Sequence, residues 1–298
     1  MYYTHALQFP YTDTILVFKE FNNKQYLNLI KSNTNLPPEP DYRIDYHQTV
    51  LDIISDCLKH KSKIHNLNII EYLMLCIRLR TISIGHTIEL SINSDKNKNS
   101  KAIINFFDLL KNVYDIAEYI KNYKTIKEND IEVHLDWPML SDEEFFLANI
   151  KDEQIEKFLK SLPFFIDKII IKDKTFDFRS FNPTQKNELL ETIPVSVKNI
   201  IQTNVLSLLK EISTIPLFEM EEFNDYKLEF YNATIQDLIR FIFSGDEKNI
   251  IQENIFLKKN NFTFDEINEL TPLEKAEYVH YYVEQVKQAS DLNSNTTL

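Results

Sequence analysis

The run Asn68-Ile69-Ile70-Glu71-Tyr72-Leu73-Met74-Leu75-Cys76-Ile77-Arg78-Leu79-Arg80 decides how the chain folds. Asn68 is placed to accept the first amides of a helix, and Glu71, three residues on, reaches back to the Asn68 amide, the pattern of a capping box. Beyond that start, apolar side chains fall on nearly every side. A helix wetted along one face would carry a polar stripe, so this one belongs at the centre of its domain. Arg78 and Arg80 end the run. Each needs a partner or a route to water, because an unpaired guanidinium in a core is very costly.

Upstream, Tyr42 to Leu58 has helical spacing in Tyr46, Val50, Ile53 or Ile54, Cys57 and Leu58. Before it, Leu36-Pro37-Pro38-Glu39-Pro40 forbids helix and reads as a stiff extended connector, with docking into an aromatic groove as the alternative. Asn22 with Gln25 starts a helix to about Ile30. Leu7 to Phe9 and Thr14 to Phe18, joined by Pro10-Tyr11-Thr12-Asp13, predict a β-hairpin.

Downstream, Gly85 breaks the helical pattern, and Thr87 to Ile92 with Lys101 to Phe106 predicts a second hairpin around the polar loop Asn93 to Ser100. A helix over Phe107 to Asn122 and a short strand over Asp130 to Leu135 follow. Ser141-Asp142-Glu143-Glu144 caps a short helix to about Ile150, and Asp152 to Ser161 suits another. Ile169-Ile170-Ile171 and Thr175-Phe176-Asp177-Phe178 form a third hairpin around Asp173-Lys174. From Asn182 the pattern is helical to the end, with starts at Asn182-Pro183-Thr184-Gln185, Thr263-Phe264-Asp265-Glu266 and Thr271-Pro272-Leu273-Glu274, and with Pro194 and Pro216 as helix boundaries. The last helix is expected to run to about Gln288.

The fold class is therefore α+β and predominantly helical, with short hairpins at the N-terminus, near 87–106 and near 165–178. The expected organisation is an α+β domain over 1–136, a mainly helical domain with one hairpin over 137–288, and a flexible tail over 289–298.

Composition narrows the chemistry. Two glycines in 298 residues exclude a phosphate-cradling Gly-rich loop. A net charge of −12, with Lys and Arg scattered among acids, argues against a surface that grips nucleic acid. No apolar stretch approaches bilayer length, and no signal peptide is visible. Cys57 and Cys76 suit two buried thiols, with a single disulfide as the alternative. The seven histidines are scattered, and the closest pair, His60 and His65, sits among lysines at a wet helix end. The acidic runs Asp142–Glu144 and Glu219–Glu222 read as solvated faces. Residues alone assign no catalytic, cofactor or metal site. The doublets Tyr2-Tyr3 and Tyr281-Tyr282 suit either core packing or a protein interface, where tyrosine is favoured.

The order of features resembles a known family. Leu7-Gln8-Phe9-Pro10 and Val17-Phe18-Lys19 lie in the first hairpin. Leu75-Cys76-Ile77-Arg78-Leu79-Arg80-Thr81-Ile82-Ser83-Ile84-Gly85, Ile88-Glu89-Leu90 and Leu270-Thr271-Pro272-Leu273-Glu274 follow. Together they resemble the baseplate hub protein family of T-even-like contractile-tail bacteriophages, most strongly over 67–90. Some relatives carry cysteine pairs in the hairpin after the Ser-x-Gly turn. The loop Ser94 to Ser100 here has neither thiol nor imidazole, so no metal carries over.

The resemblance implies a structural, noncatalytic virion protein of the tail baseplate hub, present in the host cytoplasm during assembly. It would bind other baseplate and tail proteins, with self-association as a further option and with no nucleic acid, membrane or cofactor. Its alternative is a hub assembly chaperone absent from the particle. A metal-dependent nuclease using Asp173 and Lys174 is the distant third. The residues singled out for interaction are Tyr2, Tyr3, Arg78, Arg80, Tyr281 and Tyr282.

Overall fold

The computed structural model describes residues 3–10, 14–34, 42–92, 100–123, 125–140, 162–216, 227–229 and 235–295. The turn at 11–13, the proline connector at 36–40, the loop at 93–99, the expected helices at 141–150 and 152–161, and the acidic run at 219–222 lie outside the described residues, as does Tyr2.

The fold is α+β with helix dominant. Strands β1 (His5–Gln8) and β2 (Ile15–Phe18) pair antiparallel as the expected hairpin. Helix α1 (Asn23–Thr34) starts with reciprocal hydrogen bonds between Asn22 and Gln25, and it outruns the expected end at Ile30 by a full turn. Helix α2 (Tyr42–Cys57) follows.

Helix α3 (Ile69–Ser83) is the centre. Asn68 Oδ1 accepts from the Ile70 and Glu71 amides, and the Asn68 amide donates to Glu71. Ile69, Ile70, Leu73, Met74, Leu75, Ile77 and Leu79 are all fully buried. Each such side chain contributes about 1.5–3 kcal/mol relative to exposure. The helix packs on α4 (Phe106–Tyr123) and α7 (Ile235–Ile242). It ends where the Ile84 and Gly85 amides both reach Arg80 O, with Gly85 at φ +133°, a conformation that side chains disfavour.

Strands β3 (Thr87–Ile92) and β4 (Ser100–Asn105) form the second hairpin. An antiparallel sheet then runs in the order β5 (Thr125–Glu128), β6 (Ile131–Leu135), β7 (Ile166–Ile171), β8 (Lys174–Asp177). One transverse row, Ile126–Val133–Ile169–Phe176, faces the core, with Val133 and Ile169 fully buried. Strand β5 was not expected. The pairing of β6 with β7 joins strands from the two sides of the expected boundary at 136/137. Fully buried Trp137, its ring tilted against that of Phe165 with centres 6.1 Å apart, occupies the crossing.

Helices α5 (Pro183–Thr192) and α6 (Val195–Ser213) follow the Asn182 capping box. Beyond Asn182, where successive helices were expected to the end, the structure also holds a strand pair. Strands β9 (Thr214–Pro216) and β10 (Lys227–Glu229) pair antiparallel, and Pro216 lies in a strand, not at a helix boundary. The chain then forms α7, α8 (Glu247–Lys259), α9 (Phe264–Glu269) and α10 (Pro272–Asn295). The last helix continues to Asn295, beyond the expected end at Gln288 and through most of the stretch expected as a tail.

Candidate interaction surface

Helices α8 to α10 are set by their own caps. The Asp246 side chain accepts from the Lys248 and Asn249 amides. Thr263 and Glu266 make a full capping box, and its hydrogen bonds hold the Glu266 carboxyl below the usual carboxylate range. Thr271 and Glu274 cap α10 in the same way. Along α10, Pro272 and Lys275 are buried and Val279 and Tyr282 half-buried, which fixes one face inward. Leu273, Glu277, Tyr278 and Tyr281 fall on the outer side and are exposed.

Aromatic rings gather there. Phe262 meets Tyr278 edge-on at 5.3 Å and Tyr282 at 6.1 Å, and Tyr281 meets Tyr282 at 5.5 Å. Gln285 Nε2 donates to the Tyr281 hydroxyl at 2.6 Å, which orients a ring that is 56% exposed. Such a ring offers large contact area at low entropic cost.

A buried polar clasp holds these helices against α1. Lys275, 2% exposed, donates from Nζ to Glu253 at 2.8 Å and to Asn254 Oδ1 at 3.4 Å. Asn23 Nδ2 donates to the same Asn254 oxygen at 3.2 Å, and the Asn23 amide donates to Leu270 O at 2.6 Å. Burial lowers the Lys275 pKa, and the Glu253 carboxylate opposes that shift. Beside the clasp, the Tyr26 hydroxyl donates to Ser244 O at 3.1 Å, and burial raises the Tyr26 pKa. Gly245 is required here for space: a Cβ would stand 2.2 Å from the Tyr26 hydroxyl.

The residues singled out in the sequence fall in different places. Tyr281 and Tyr282 are brought together on α10. Tyr3 is exposed, with Lys19 Nζ 5.9 Å from its ring centre. Arg78 is half-buried. Arg80 is corrected: at 4% exposure it belongs to the core and offers no contact surface. Its guanidinium lies 5.1 Å from the Phe106 ring, Nη2 reaches Thr87 O at 3.5 Å, and desolvation lowers its pKa. Tyr278 and Phe262 were missed. Tyr278 stands four residues before Tyr282, a spacing that makes helical neighbours.

Cys57 and Cys76 are both free and buried, and burial pushes the Cys57 thiol up to about 12. Asp173 and Lys174 lie exposed at the β7–β8 turn, next to Lys172 at φ +55°. Among the described residues, no group of three or more His, Cys, Asp or Glu is placed to hold a metal ion. No helix among them is long and apolar enough to cross a membrane.

A family model described as T4 bacteriophage base plate protein matches residues 1–217. Neither a curated protein nor a solved structure matches the chain.

Proposed function

The chain belongs to the T4 bacteriophage base plate protein family, and from this premise we propose that it is a structural subunit of the baseplate hub. In this reading it acts by contact with other baseplate and tail proteins during virion assembly and carries out no catalysis. The observation that carries the reading is the family match across 217 consecutive residues, which includes the buried helix α3 and all of the four-stranded sheet.

Two physical features support it. A capped, tightly packed, glycine-poor chain suits a surface that must keep its shape in an assembly. The Tyr278–Tyr281–Tyr282 cluster leaves aromatic area open to solvent on a rigid helix, the composition that protein interfaces favour.

The test combines mass spectrometry of purified particles with pull-downs of the tagged full chain from infected cells. The chain is expected in particles, and hub components are expected among its partners. Recovery with hub components from cells but absence from particles would replace this reading with that of an assembly chaperone. No association with any tail component would refute both.

A further inference from the structure

The outer face of α6 is unlike the rest of the surface. From Val195 to Leu209 its sequence holds one charged residue, Lys198, in a chain of which 26% is charged. Val197, Ile201 and Val205 are buried and define the inner side. Lys198 lies off the outer stripe, and its Nζ donates to Glu191 O at 3.4 Å. The outer side presents Val195 at 70% exposure and Leu206 at 44%, about 17 Å apart along one stripe. Ile200 stands at its edge at 38% exposure. Between them lie exposed Ser196, Asn199 and Thr203 and half-buried Gln202. A solvated helix face normally carries charge, whereas depletion of charge marks the centre of an interface.

We propose that this face is a two-fold self-association surface, on which a second copy of the chain seats its own α6 antiparallel. The polar side chains decide the occupant. In a two-fold contact the same patch meets itself, so a carboxylate or ammonium near the axis faces its own charge. Hydroxyls and amides both donate and accept, so in the register that sets Val195 beside Leu206, Asn199 of one copy can pair with Gln202 of the other. Two chains of charge −12 repel each other, and a face without charge adds nothing local to that repulsion. The stripe is also self-complementary in shape. With the axis near Ile200, Val195 of one copy falls beside Leu206 of the other. A single helix pair of this length buries less than a stable interface needs, so the pairing is weak in isolation and strengthens in an assembly. This surface does not rest on the hub assignment.

Sedimentation velocity of the full chain, from about 1 to about 500 µM, tests it. Reversible dimerisation is expected within that range, stronger in about 500 mM than in about 50 mM salt, because screening relieves repulsion. Leu206→Glu should weaken it by at least about tenfold. Asn199→Glu, at an exposed polar position that does not threaten the fold, should do the same by placing two carboxylates at the axis. Ile251→Glu, an equally exposed apolar position on α8, should leave it unchanged. A wild-type chain monomeric throughout, dimers that weaken with salt, or an Asn199→Glu chain that dimerises like wild type would each overturn the proposal.

Discussion

His47 stands edge-on to Tyr72, ring centres 6.0 Å apart, and burial lowers its pKa to about 4. In the unfolded chain the same imidazole titrates near 6.5. Between these values the unfolded state binds the extra proton, so stability is complete above about 6.5 and is lost as pH falls toward 4. The full loss is on the order of 2–3 kcal/mol. Urea titrations across this range should show it, and His47→Gln should flatten that part of the profile. Gly245 gives a second test at this scale. Gly245→Ala drives a methyl into the Tyr26 hydroxyl and should cost about 1–3 kcal/mol. Combining it with Tyr26→Phe removes the colliding oxygen, so the double variant should be more stable than the sum of the single losses predicts. Denaturant midpoints of the four chains read the coupling directly.

At the scale of elements, the cap of α3 is the most exposed to a single change. Asn68→Ala removes an acceptor shared by two amides and frees Glu71 from its return bond. A loss of about 1–2 kcal/mol is expected in equilibrium unfolding. Caps were also the elements most legible in the sequence. Asn22 with Gln25, Asn68 with Glu71, Asn182 with Gln185, Thr263 with Glu266 and Thr271 with Glu274 each announce a helix start within four residues, because the chemistry is local. Strand pairing is not local. Strand β5 carries only four residues, with ordinary polar alternation, and becomes a strand because β6 is beside it. The short β9–β10 pair has the same origin, and Pro216 is ambiguous in sequence because proline breaks helices and tolerates strand edges alike. Arg80 needs a partner or water. Its answer, the Phe106 ring and the Thr87 carbonyl, depends on where α4 and β3 come to rest. The Tyr281-Tyr282 doublet and the i, i+4 spacing of Tyr278 are local to α10, but Phe262 joins them only once α8 and α10 pack together.

At the scale of the molecule, the region beyond the family match is built into the core. Phe243 meets Phe21 edge-on at 5.9 Å, and Leu238, Ile239 and Ile242 are buried on α7 beside α3. A chain ending at residue 217 would strip these contacts and leave Asn23 without Asn254 or Leu270. Its thermal midpoint is expected to fall by more than about 5 °C, or its unfolding to lose cooperativity, in scanning calorimetry. Full-length stability should thus belong to the whole chain and not to the matched portion alone.

The clasp between Asn23 and Asn254 joins positions 231 residues apart. Ribosomes add about 5–20 residues per second, so α1 waits roughly 10–50 s after emerging before its final neighbours exist. Through that interval its inner seam is open to chaperones and proteases. Closure of that seam is therefore timed by the synthesis of α8 and not by that of α1 itself.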